Sequence, residues 1–125
     1  CTLCHQIEAA NLGQEDSFGG GYMINPDLPT GERLNYGPYL PGKSQIKIMQ
    51  KSSGFIPVQS QHIQQAELCA TCHTLYTPTI DTTGQIVGRF PEQMAYFEWQ
   101  HSDYRDKSSC QGCHMPEVEI ISSKQ

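Results

Sequence analysis

The sequence predicts a mainly α-helical chain with extensive irregular loops and one short β-hairpin, folded as a single domain over residues 1–125. Three observations predict it. The word Cys-x-x-Cys-His occurs three times, at Cys1–His5, Cys69–His73 and Cys110–His114, and thiols three residues apart share one face of a helical turn. Residues 13–44 are broken by Gly19-Gly20-Gly21, Asn25-Pro26, Leu28-Pro29, Gly37-Pro38 and Leu40-Pro41-Gly42, all turn signals. The apolar share is a little below that of ordinary domains, so the side chains alone make a thin core and something else helps to fill the interior.

The elements follow in order. Residues 1–10 hold the first Cys-x-x-Cys-His and a short amphipathic tail. A chain that opens on Cys1 is read as a fragment or processed part of a longer one. Residues 13–44 form an irregular loop whose tyrosines, Tyr22, Tyr36 and Tyr39, pack over flat apolar surfaces. The stretch 58–73 reads as one helix leading into the second motif. His62 and His73, eleven residues apart, return to nearly the same helix face, about 16 Å apart along the axis. Residues 76–90 carry two β-prone runs around Asp81-Thr82-Thr83-Gly84, a small hairpin. Pro91 suits the first position of a helix over 91–105 and Glu92 its first turn. On that helix Met94, Phe97, His101 and Tyr104 share a face, with Trp99 as a packing anchor. Pro116 ends the last short helix, Met115 is read as packing, and residues 117–125 read as an edge strand or frayed tail.

Several classes are excluded. No run approaches the ~18 apolar residues that cross a bilayer, so no transmembrane segment is expected, and no charged-then-apolar export signal is present in the sequence. Eight Lys and Arg against thirteen Asp and Glu give a net charge of −5, which argues against a nucleic-acid partner.

The six cysteines carry the chemistry. All of them fall in the three pairs, and each pair is followed at once by a histidine: His5, His73 and His114. With 5 histidines in 125 residues, three such coincidences have odds of roughly 10⁻⁴. Cys-x-x-Cys-His is the attachment word for haem c. Two thiols on one helical face form thioethers to the two vinyl groups of one porphyrin, and the adjacent imidazole becomes the proximal ligand of its iron. The cofactor expected is therefore haem c, three per chain, bound by Cys1, Cys4 and His5, by Cys69, Cys72 and His73, and by Cys110, Cys113 and His114. A Cys₄ zinc site would leave one pair idle and give the following histidine no reason to recur. Redox disulfides of this spacing are usually singular.

From Leu68 to Pro116 the chain reads Leu-Cys-Ala-Thr-Cys-His-Thr-Leu-Tyr76, then Phe90-Pro-Glu-Gln93, Glu98-Trp99, Ser102, Tyr104 and Ser109-Cys-Gln-Gly-Cys-His-Met-Pro116. This segment, about forty percent of the chain, resembles the multihaem c-type cytochromes, and is similar to modules of the tetrahaem and octahaem cytochromes related to hydroxylamine oxidoreductase. The resemblance implies a small multihaem module organised around three haems, electron transfer outside the cytoplasm, haems in van der Waals contact, and mostly two histidines per iron.

Ligand counting sharpens the expectation. Three irons have six axial positions, and the histidines supply five: His5, His73 and His114 as proximal ligands, His62 and His101 as distal ones. The sixth is a methionine (Met23, Met49 or Met94), a histidine from a neighbouring subunit or from missing sequence, or an open site. The leading expectation is an electron carrier with no catalytic residue, exchanging electrons with basic redox protein partners through transient contacts. The alternatives are a haem oxidoreductase of small nitrogen or sulfur compounds at an open iron, with Arg33, Arg89, Arg105 or Lys107 beside it, and a homo-oligomer or haem filament whose neighbour donates the missing ligand. Haem c is attached after export, so the expected location is periplasmic or extracellular.

Overall fold

The computed structural model describes residues 2–116; Cys1 and the tail 117–125, with its expected edge strand, lie outside the described residues. Helix takes 37% and strand 23%, in two two-stranded sheets. The chain is therefore not mainly α, which corrects the expected fold class.

The first sheet pairs β1 (Arg33–Gly37) in parallel with β2 (Phe55–Gln59), Tyr36 opposite Val58. Parallel neighbours need a long crossover, and α1 (Lys43–Ser53) supplies it. The Gln45 side chain accepts the Gly42 N–H at 2.8 Å at its start. Gly54 ends it in the left-handed region, φ +77°, donating to the Gln50 carbonyl at 3.0 Å, a conformation that glycine takes without a Cβ penalty. No residue of α1 is buried. Within the expected loop over 13–44, a 3₁₀ turn (Glu15–Gly20), β1 and the start of α1 are regular, and the rest is irregular as expected. Pairing between strands so far apart leaves no local trace beyond β-prone composition.

The expected helix over 58–73 is also corrected. Val58 and Gln59 belong to β2, a 3₁₀ turn covers Gln61–Gln64, and Gln65 is extended (φ −92°, ψ 143°). Only α2 (Ala66–His73) is α-helical, so His62 and His73 share no helix and the 16 Å axial spacing does not apply.

The hairpin is present and longer than expected: β3 (Thr74–Ile80) pairs antiparallel with β4 (Ile86–Met94). Pro91 lies in β4, beside a register shift, rather than opening a helix. A two-stranded sheet has free edges where its missing N–H costs nothing. The helix that follows is the short α3 (Ala95–Gln100), which holds Phe97 but not Met94, His101 or Tyr104. The last element is α4 (Cys110–His114).

The core is small. Ala66, Ala70 and Tyr96 form its centre, with Phe18, Trp99 and Cys110 packed against it, and Ile7, Pro57 and Ile63 are buried elsewhere. Trp99 stacks on Tyr96 with centroids 5.8 Å apart and donates its indole N–H to the Ser108 carbonyl at 2.8 Å. The chain exposes 9465 Å². A compact monomer of 14.0 kDa exposes about 6,700 Å². Large apolar side chains stand open along the hairpin at Ile80, Ile86, Val87 and Phe90, and near the first and third motifs at Tyr39, Leu40, Ile48 and Met115.

Candidate functional site

The second motif sits on α2 so that its chemistry and its packing face opposite ways. Cys69 is half-buried, Cys72 and His73 are exposed, and the two intervening residues, Ala70 and Thr71, are fully buried. Ala70 joins the core, and the Thr71 hydroxyl donates to the Ser17 carbonyl. Residues i, i+3 and i+4 share one helix face, which turns Cys69, Cys72 and His73 outward together.

The third motif fills α4. Ser109 caps it by accepting the Gly112 N–H at 3.4 Å. Gln111 reaches across to the other motif: its Nε2 donates to the carbonyls of Ile63 at 3.0 Å and Gln65 at 2.7 Å, in the segment that leads into α2. Its Oε1 is buried and has no partner among the described residues. Together the two motifs line one cavity of about 450 Å³, with Cys69, His73, Cys110 and His114 in its wall beside Ala95, Tyr96 and Met115. Burial pushes the Cys69 thiol up to about 11, and the neighbouring Cys110 thiol adds to the rise. Burial likewise raises Cys110.

The first motif lies apart, on a 3₁₀ turn over Cys4–Gln6; Cys1 lies outside the described residues. His5 is tied to β1 through Nδ1 and the Tyr36 carbonyl. A carbonyl only accepts, so Nδ1 carries the proton and Nε2 keeps its lone pair, the arrangement of a metal-binding imidazole. His5 opens onto a cavity of about 660 Å³ walled by β1, β2, the 38–41 turn and α1, through residues that include Tyr36, Tyr39, Ile48 and Met49. Of the three candidate methionines, Met49 is the one in a cavity with a motif histidine. Tyr36 and Tyr39 line this cavity; Tyr22 lines neither. Burial, then the Glu8 carboxylate, raise the Tyr36 phenol above its ordinary value.

The two remaining histidines line neither cavity. His62 is buried, packs edge-on against Tyr36 with centroids 4.9 Å apart, donates from Nε2 to the Ile7 carbonyl at 2.9 Å, and accepts the Ser60 hydroxyl at Nδ1 at 2.7 Å. Ligation through Nδ1 requires that it give up Ser60. Burial lowers its pKa, so it is held neutral. His101 is exposed at the end of α3, with Nδ1 donating to the Phe97 carbonyl at 2.7 Å, which leaves its Nε2 lone pair outward. Met115, expected to pack, is 71% exposed on the rim of the shared cavity.

The donor set fits haem c. Each described motif pairs cysteine with an adjacent imidazole beside an apolar cavity, and both cavities fall in the size range of small-molecule sites. No group of three or more His, Cys, Asp or Glu side chains converges among the described residues, as a bare cation held by protein alone requires. Among the described residues no helix is long and apolar enough to cross a membrane. Gln111 and Thr71 escape sequence reasoning: both stand in the variable x positions of motifs, and nothing local marks a position whose role is a contact some fifty residues away.

Comparison with protein families, with curated proteins and with solved structures finds no match to this chain.

Proposed function

We propose that the chain is an electron-transfer protein carrying three covalently bound c-type haems, resembling the multihaem cytochromes c. The observation that carries this reading is the convergence of the second and third motifs, remote in sequence, on one apolar cavity with the first cysteine and the histidine of each in its wall. The tautomer of His5 and the surplus of exposed surface support it.

Haem iron, when bound, supplies one-electron chemistry with little reorganisation; the chain supplies placement and dielectric. Cys4 with Cys1, Cys69 with Cys72, and Cys110 with Cys113 would hold the three groups through thioethers, and His5, His73 and His114 would each supply an imidazole to the iron beside them. The Tyr36 carbonyl orients His5 and keeps its Nε2 basic. Met49, which lines the cavity that His5 opens onto, would be the methionine able to hold the first group with His5. His101 offers a free Nε2 to a haem beyond its own surface. Redox proteins are the partners, and the compartment is periplasmic or extracellular, where haem c is attached.

The test is the chain matured with the haem c attachment machinery. Three covalent haems by intact mass, with a Soret band and a pyridine haemochrome of thioether type, are expected. A colourless protein of unmodified mass overturns the reading.

A further inference from the structure

We propose that Gln111 is a positioning residue that fixes the third haem site against the second. The proposal rests on the three-haem reading and adds to it the part that sets how two of the sites face each other. Gln111 stands between the cysteines of the third motif, yet both of its donated hydrogen bonds leave that motif. They end on the carbonyls of Ile63 and Gln65, at 3.0 and 2.7 Å, where the chain turns from extended backbone into the helix bearing Cys69, Cys72 and His73. One amide group therefore joins the helix of one site to the first turn of the other.

The short helix α4 has few other restraints. It fully buries none of its residues, and besides Cys110, half-buried against the core, its placement depends on individual contacts rather than on a packed face. A side chain at this position serves the motif itself with any residue type, since the thioethers come from the flanking cysteines. The amide is also an odd choice for packing alone, because its Oε1 is buried without a partner among the described residues, which an apolar side chain of the same length avoids. Its donor end is what the structure uses. A carbonyl pair accepting from a single Nε2 also defines direction, so the clamp restrains rotation of α4 as well as its distance.

The experiment uses the full-length holoprotein, with haem content determined first. Fewer than three haems in the wild type sinks the three-haem reading and is seen before this proposal is tested. The readout is the Soret circular dichroism couplet that arises when two haems are close and fixed in mutual orientation, recorded well below the unfolding temperature. Gln111→Met, equal in length but without donors, is expected to load three haems and lose most of the couplet. Gln111→Lys, whose ammonium donates to both carbonyls, is expected to restore it. If Gln111→Met loads poorly, Gln111→Asn, one methylene too short to reach both carbonyls, is read in its place. A wild type without a couplet, a donorless variant with the wild-type couplet, or a lysine variant as disturbed as the methionine variant each overturns the proposal.

Discussion

His62 donates from Nε2 to the carbonyl of Ile7 across 2.9 Å, two residues beyond His5 in the first motif. The same ring lies edge-on against Tyr36, whose carbonyl receives the proton-bearing Nδ1 of His5. One buried histidine thus braces both the segment that carries His5 and the strand that orients it.

Replacing His62 with alanine strands the Ile7 carbonyl and opens a void beside Tyr36. The loss of stability expected is about 1–3 kcal/mol, the cost of an unmade buried hydrogen bond, read from urea unfolding of the holoprotein. Carbon monoxide binding to the reduced variant is expected to equal that of the wild type. A newly reactive haem marks His62 as an iron ligand instead.

Met49→Leu keeps the apolar wall of the first cavity and removes its sulfur. Methionine ligation raises a haem potential relative to histidine, so the variant is expected to show one haem with an altered potential and to lose the ferric sulfur charge-transfer band. Spectroelectrochemistry that superimposes on the wild type removes Met49 from the first site.

Thr71→Val preserves shape and deletes the hydroxyl that donates to the Ser17 carbonyl. Thr71 is fully buried, and the expected cost is about 1–3 kcal/mol in thermal or chemical unfolding, with haem content unchanged. A variant as stable as the wild type shows that the motif interior carries no tertiary load.

The hairpin turn is expected to loosen in acid. Asp81 accepts the Thr83 hydroxyl and the amides of Thr83 and Gln85, and these bonds, the hydroxyl first, hold its carboxyl below its ordinary value. A carboxyl depressed in the folded state stabilises the turn above the ordinary aspartate pKa, near 3.9, and loses that contribution as pH falls through the lower folded value. Amide exchange at Thr83 and Gln85 is expected to quicken, relative to its intrinsic rate, as the carboxyl protonates. In Asp81→Ala the same amides are unprotected at every pH.

The motifs and the hairpin were legible because their signals are local: a fixed spacing, or two β-prone runs about a Gly84 turn. The β1–α1–β2 unit was not, since Tyr36 meets Val58 only after the crossover has formed, and five-residue strands carry little pattern of their own. The helix expected through His62 failed at Gln65, where no proline or glycine announces the break; the pairing of Val58 and Gln59 with β1 draws the chain out of helix. Pro91 misled for a related reason, because a free strand edge accommodates proline as readily as a first helical turn does. The placement of Cys69 beside Cys110 was invisible too, being set by Gln111 and by the packing of Tyr96 beneath α2.

The small core has a consequence for biogenesis. A polypeptide that exposes some 40% more area than a globular chain of its mass has little apolar burial of its own to hold it closed. If the three-haem proposal holds, maturation and folding become one event, and the precursor without haem is a loose substrate, open alike to the attachment enzymes and to proteases that clear what they miss.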